Sequence, residues 1–396
     1  MPKPEVFVVA AARTAIGSFG GALKDVALSD LATFAVRGAL ERSGVDPGEV
    51  GHVVMGNVIP TEPRDAYLGR VAALNAGIVK ETPAFNVNRL CGSGLQAIIS
   101  AAQAILLGDA QIALGGGAES MSRGPYVMSA ARWGARMGDV QMQDYMIGIL
   151  HDPLQGIHMG ITAENVAARY GIDREVQDAL AVESQMRAAR AVAEGRFKSQ
   201  IVPVDVPTRK GSVRFEVDEH VRVGVTAEQL AKMKPVFKQD GTVTAGNAAG
   251  INDGAAAVML ASGEKVRSLG LKPLARLLAY GHAGVEPTEM GIGPVPATRQ
   301  ALSRAGLDVD DLDVIESNEA FAAQACAVSR ELRLDPARVN PNGSGISLGH
   351  PVGATGAILT TKALYELQRV GGRYALVTMC IGGGQGIAAL FERVEP

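Results

Sequence analysis

The chain has 396 residues, room for two or three domains, and its 38 Lys and Arg nearly balance 41 Asp and Glu for a net charge of −3. That balance argues against nucleic acid or an anionic membrane as the main partner, and 47% apolar residues exclude a disordered chain. Three Cys make neither a disulfide framework nor a zinc ligand set, so no metal site is expected and a reducing cytoplasm fits.

In chain order, VFVVAAA from Val6 predicts a buried first strand, and the residues ahead of it lack the basic leader and long apolar run of a signal peptide. Ser29 is expected to cap a helix that stops at Gly44. VGHVVMGNV then reads as a strand, followed by a charge-free stretch after Cys91 and by the strand QIALGGGA. This alternation predicts an α/β architecture. The two longest charge-free windows, 90–108 and 339–361, approach the length of a membrane span. Ser93, Gln96, Ser100 and Gln103 interrupt the first, and His350 with several Gly interrupts the second. Both predict small-residue helices buried on all sides by protein.

The chain echoes itself. Leu40 to Asp46, leading into VGHVVMGN, is repeated by Leu302 to Asp308, leading into LDVIESNE, at an offset of 262. The charge-free windows follow at a similar offset, and then strands that run into Gly115-Gly-Gly and Gly382-Gly-Gly. A duplicated unit is the simplest account, with halves at 1–120 plus 251–273 and at 274–396, and an inserted loop domain at 121–250. The insertion holds eight of the 13 Met, which predicts gap-filling in a loose region or, alternatively, the wall of an apolar substrate pocket. Its charged stretch from Asp173 to Glu194 predicts a helix with a solvated polar face.

Few residues could carry chemistry. Cys91, in Asn88-Arg-Leu-Cys-Gly-Ser-Gly, precedes a helix whose unpaired N–H groups and dipole should lower its pKa and could hold an oxyanion. His350 falls at nearly the same place in the second half, so the repeat would bring a nucleophile and a base together. Cys380 ends a strand and opens the turn Gly382-Gly-Gly, whereas Cys326 lies within a helix and reads as structural. Asn318 and Glu319 end a strand, where α/β proteins place site residues, though a plain surface strand end is equally open. Neither Gly triplet fits a dinucleotide or Walker loop.

Together, NRLCGSGLQA, GGAESMS, HMGITAENVA, TVTAGNAAGINDGAAA, SNEAFAAQA, NPNGSGISLGHPVGATGA and TMCIGGGQG resemble the thiolase family, in family order over nearly the whole chain. RWGARMGD and ISLGHP look most like bacterial β-ketothiolases and acetyl-CoA acetyltransferases. The resemblance implies the five-layered αβαβα thiolase fold, a homotetramer built as a dimer of dimers, and a place in fatty-acid metabolism or polyhydroxyalkanoate precursor supply. It implies coenzyme A esters as substrates and no permanently bound cofactor. The reaction is the joining of two acetyl-CoA to acetoacetyl-CoA, or the reverse thiolysis, by a ping-pong acyl-cysteine route.

By the same resemblance Cys91 is the nucleophile, His350 its base and Cys380 the second thiol, which moves the α-proton. Backbone N–H groups of Cys91 and Gly382 would form one oxyanion hole, and His350 with a water held by Asn318 the other. His158, Met159, Phe237, Ala320 and Phe321 match pocket positions, and Arg222 the residue that stacks on adenine. Arg209, Lys210 and Arg214 would be a basic patch for the CoA phosphates, or simply a solvated charge run. Ala249 departs from the pattern: many members have a Ser there that bonds the pantetheine arm, and its loss should cost ~0.5–1.5 kcal/mol of CoA binding.

Three rivals remain at this point: a degradative 3-ketoacyl-CoA thiolase of broad chain length, a ketoacyl-synthase relative, and a non-catalytic acyl-CoA-binding protein. Cys380 speaks against the second, and the presence of both Cys and His350 against the third.

Overall fold

In the computed structural model, residues 5–209 and 211–394 are described. The first half supplies strands β1 (Val6–Arg13), β2 (His52–Gly56), β3 (Ala84–Val87), β4 (Ile112–Ser120) and β5 (Asn252–Ser262). The second supplies β6 (Ala275–Gly284), β7 (Val314–Ser317), β8 (Tyr374–Ile381) and β9 (Gln385–Arg393). Their order is β7-β8-β9-β6-β1-β5-β4-β2-β3, which reads alike outward from the β6–β1 junction. Directions repeat too: β2 runs parallel to β4 and β7 to β8, while β5 and β9 are antiparallel to their neighbours. A parallel bridge from Ile315 to Val339 stands where β3 stands in the first half. The expected two sheets are in fact joined, by two residue pairs between Phe7–Val8 and Ala275–Arg276.

Along each strand, successive side chains face opposite layers. Val8, Val54, Ala113 and Val258 point inward to a central core shared with Val377, Met379 and Ala389 of the second half. Their neighbours Val9, Val53, Leu114 and Met259 point outward under helix α1 (Leu28–Ser43). On the other flank, Ile315, Leu376 and Leu390 are covered by α5 (Pro294–Ala305) and α6 (Ala322–Leu332), which follow α2 to α4, described next. Between the sheet faces lie α2 (Ser93–Leu107) and α7 (Thr355–Val370), completing an αβαβα sandwich.

The two central helices explain the charge-free windows. A Cβ at Gly94 would lie 2.7 Å from the backbone N of Ala357, and one at Gly356 would lie 2.3 Å from that of Leu95. Only glycines permit that approach. Leu90–Leu107 is long and apolar enough to cross a membrane by composition, but 67% of it is buried by protein. Its polar interruptions are all bonded: Gln96 to His282 and Ser100, Gln103 to Tyr280. The second window is not one helix. Its first part forms a short helix, Gly345–Leu348, and a turn that carries His350 before α7 begins.

Other expectations change in detail. Ala27, not Ser29, occupies the N-cap of α1, and the Ser29 hydroxyl is buried without a partner; Gly44 ends the helix at φ +65° as expected. In the insertion, α3 (Met159–Tyr170) is followed by α4 (Arg174–Ala193), capped by Asp173. The polar residues of this stretch divide, with Glu175, Arg190 and Glu194 exposed while Gln177, Asp178, Ser184 and Gln185 are buried against the body. Nor are the Met residues uniform filler: Met121 and Met159 are buried, while Met137 is 97% exposed. The triplet Gly115–Gly117 is a packing device, since Cβ atoms there would meet backbone atoms at 2.2–2.5 Å.

Candidate active site

Cys91 sits in a tight loop between β3 and α2, one residue before the N-cap Gly92. Asn88 accepts from Leu90 N, Ser93 Oγ accepts from Arg89 N and donates to Leu90 O, and Leu90 is forced to φ +46°. Backbone N–H groups of Gly382 and of Cys91 itself point at the sulfur. These donors favour a thiolate, but burial outweighs them, with Glu119 adding repulsion, and the thiol is pushed up to about 11. The expected lowering by the helix terminus is therefore overturned: Cys91 waits as a thiol.

His350 is buried, and its backbone N–H donates to Asn252 Oδ1 at 3.0 Å. Thr355 Oγ1 lies 2.6 Å from the ring Nδ1 and donates its own hydrogen to Pro351 O at 2.9 Å. With that hydrogen committed, the hydroxyl can only accept, so Nδ1 carries the ring proton and Nε2 keeps its lone pair. The Asn318 amide faces that lone pair at 3.4 Å. Burial pushes His350 down to about 4, so it is neutral near pH 7.

Cys91, His350 and Gly382 open on one apolar cavity of ≈ 270 Å³. His158, Met159, Phe237, Ala249, Ala320 and Phe321 line it as well. The Phe237 ring stacks on His158 at 4.6 Å and meets Phe321 edge-on at 6.2 Å. His158 Nδ1 accepts from Gly160 N, which caps α3, and burial lowers its pKa. Ala249 N donates to Ala320 O, stitching the two pocket segments together. A wider vestibule of ≈ 530 Å³ shares Phe237, Ala248, Ala249, Gly250 and Ile251 with the cavity and has Arg222 on its rim.

Two predicted residues stand just outside the wall. Cys380 is fully buried at the end of β8, behind Met159, Ala320 and Phe321, with its pKa raised by burial and then by Cys91. Asn318 reaches the cavity only through His350, and its buried Oδ1 has no protein partner. Such an atom marks a place for a water. Asn318 and Glu319 are buried, so a surface strand end is ruled out. Glu319 accepts from Ser184 and Asn340 at 2.6 and 2.9 Å, and burial raises its pKa.

The expected basic patch is weak. Arg209 is exposed, Arg214 is paired with Glu216 at 2.8 Å away from the vestibule, and Lys210 lies outside the described residues. A groove of ≈ 1180 Å³ at the junction of the halves has no Cys or His among the described residues lining it. Reading the sequence alone overlooked Thr355, Met290 and Glu119. Of these, Thr355 had a signal, as the hydroxyl nearest to His350 on the C-terminal side within the Gly-rich run.

The N-terminal domain of thiolases matches residues 6–264, and the C-terminal domain matches residues 271–393. This chain belongs to the thiolase family. Among its relatives are the β-ketothiolase BktB of Cupriavidus necator, 66% identical over 98% of this chain and 99% of the relative, and an acetyl-CoA acetyltransferase of Chromobacterium violaceum, 52% identical over 98% and 100%. Human mitochondrial 3-ketoacyl-CoA thiolase superposes with a TM-score of 0.97 at 46% identity, covering all of both chains. Its complex with CoA superposes at 0.96 and 46% identity, covering 99% of this chain and 98% of that one. The thiolase placement carries the α/β sandwich fold with it.

Proposed function

We propose that this thiolase is a β-ketothiolase, an acyltransferase that condenses two acetyl-CoA into acetoacetyl-CoA and CoA or runs the reverse thiolysis. The observation that carries this reading is one apolar cavity shared by a thiol under two backbone donors and a histidine whose Nε2 keeps its lone pair, faced by the Asn318 amide at 3.4 Å. His350 Nε2 takes the Cys91 proton as the sulfur attacks the thioester carbonyl. The oxyanion falls to the N–H groups of Cys91 and Gly382, a contribution worth ~2.7–4 kcal/mol per donor. Collapse breaks the bond to CoA, whose sulfur receives the proton from His350, leaving acetyl-Cys91.

In the second half, Cys380 acts as its thiolate and takes the α-proton of the incoming acetyl-CoA; the enolate carbon attacks the acetyl group on Cys91, the bond to the Cys91 sulfur breaks, and Cys380 returns the proton to that sulfur. A water on Asn318 donates to the enolate oxygen, while His350 Nε2, having returned its proton to CoA, is again an acceptor. Cys91 is one of the groups that raise the Cys380 pKa.

The vestibule suits the pantetheine arm, with Arg222 against the adenine and Ala249 beside the arm. Coenzyme A esters are then the substrates, and no permanent cofactor is needed. The division into 1–120 plus 251–273, 121–250 and 274–396 is kept as part of this reading, as are a cytoplasmic location and polyhydroxyalkanoate precursor supply. So is a homotetramer: Tyr126, Trp133, Met137 and Met142 form an exposed apolar run within the insertion that a second copy would cover.

Incubation with acetyl-CoA, digestion and mass analysis test the chemistry. An acetyl group on the Cys91 peptide is expected; its absence, with turnover retained in Cys91→Ala, would sink the reading. Light scattering tests the assembly, where a monomer at micromolar concentration would refute the tetramer.

A further inference from the structure

Glu119 ends β4 with no solvent exposure. Each of its oxygens accepts two hydrogen bonds. Oε1 takes Asn57 Nδ2 at 2.8 Å and Ile59 N at 3.0 Å, and Oε2 takes Val58 N at 3.0 Å and Gly353 N at 2.8 Å. Three of these donors belong to the loop after β2; the fourth, Gly353, lies three residues after His350 in the turn that carries it. The loop is locked to the nucleophile's helix, because a Cβ at Gly56 would lie 2.6 Å from the Ser93 carbonyl carbon. The turn is locked to Glu119 itself, because a Cβ at Gly353 would lie 2.4 Å from Oε2 and 3.0 Å from Asn57 Cα. Gly117, two residues earlier on β4, has room for no Cβ against Gly353 O. Val58 and Val352, flanking these contacts, both line the cavity.

We propose that Glu119 is a positioning residue for acyl transfer: its carboxylate ties the loop that braces Cys91 in one half to the turn that carries His350 in the other. The inference rests on the β-ketothiolase reading. Two features separate it from simple packing. All four contacts come from donors, so an ionised carboxylate matches them and a neutral amide does not. Glu119 also acts on Cys91 through its charge. Its charged neighbours include Asp253 on the neighbouring strand β5 and Cys91. Burial first, with Asp253 adding to it, pushes Glu119 up to about 8, against the pull of the backbone donors, so the ionised form that satisfies all four donors prevails above that pH, where the readouts below are taken.

Glu119→Gln keeps the shape but turns an NH₂ toward one donor pair. Three readouts on the intact enzyme test it: the rate of acetyl-Cys91 formation by quenched mass analysis, KM for acetyl-CoA, and the pH profile of Cys91 alkylation by iodoacetamide. Acylation should fall about 10–100-fold, the scale of a small misplacement of reacting groups. KM should stay within about 3-fold, and with the negative charge gone the alkylation profile should move to lower pH. Wild-type rates and an unmoved profile would overturn the proposal. Should that variant not fold, Asn57→Ala withdraws one donor: slower acylation at unchanged KM supports the role, and an unchanged rate overturns it. If wild-type enzyme forms no acetyl-Cys91, the β-ketothiolase reading fails instead, which the same mass spectrum distinguishes.

Discussion

The N-terminal approaches to α2 and α7 occupy equivalent places in the two halves, yet they present opposite chemistry. Before α2 the chain makes one tight turn, with Leu90 at φ +46°, and delivers a thiol beneath two N–H groups. Before α7 it adds the helix Gly345–Leu348 and Gly349 at φ +104°, and delivers an imidazole fixed by Thr355. Burial pushes Cys91 up to about 11 and His350 down to about 4. The same desolvation thus drives both groups neutral, from opposite directions. A duplicated scaffold needs no preformed ion pair; it needs a thiol and a lone pair in one dry cavity, with the proton transferred during attack.

The largest expected effect breaks the first side of this comparison. Cys91→Ala should lower turnover by roughly 10⁴-fold or more, as removal of a nucleophile does elsewhere. In the wild type, the rate of Cys91 alkylation should keep climbing above pH 8. A plateau reached below pH 7 would mean a resting thiolate and would refute the neutral pair. Next is the second side. Thr355→Val removes the acceptor that sets the tautomer, and turnover should drop by about 10²-fold, the low end of a general-base contribution. An unchanged rate would show that the ring needs no such partner. In the wild type, activity should hold as pH falls through 6.5 and fail only toward 4, because an unprotonated imidazole is required above its lowered pKa.

A smaller effect tests the contact between the helices themselves. Gly356→Ala should cost about 1–3 kcal/mol of stability, since the new methyl meets the backbone of Leu95. An unaltered melting temperature would show that α2 and α7 can part freely. The smallest concerns the vestibule the halves share: Ala249→Ser should tighten CoA-ester binding by ~0.5–1.5 kcal/mol with turnover nearly unchanged. No change in affinity would count against a bond to the pantetheine arm.

Much of the site was legible in linear form. Cys91, His350 and Cys380 stand in Gly-rich segments at element boundaries, and the echo at an offset of 262 placed Cys91 and His350 at equivalent helix starts. Pocket residues such as Met159, Phe237 and Phe321 were accessible only through the family resemblance, because scattered apolar residues have no local signature. Glu119 escaped both routes. It looks like an ordinary end-of-strand acid until Asn57 and Gly353, 296 residues apart by their numbers, are seen to share it.

The chain's 48 Gly acquire their meaning in the central layer, where α2 and α7 touch backbone to backbone. Sequence by itself determined the alternation of strands and helices, the internal echo and the candidate reactive groups, since these rest on periodicity and residue chemistry. Only the tertiary structure decided their protonation. A helix terminus by itself lowers a thiol's pKa, and desolvation of the half-buried Cys91 by residues distant in the chain outweighs it.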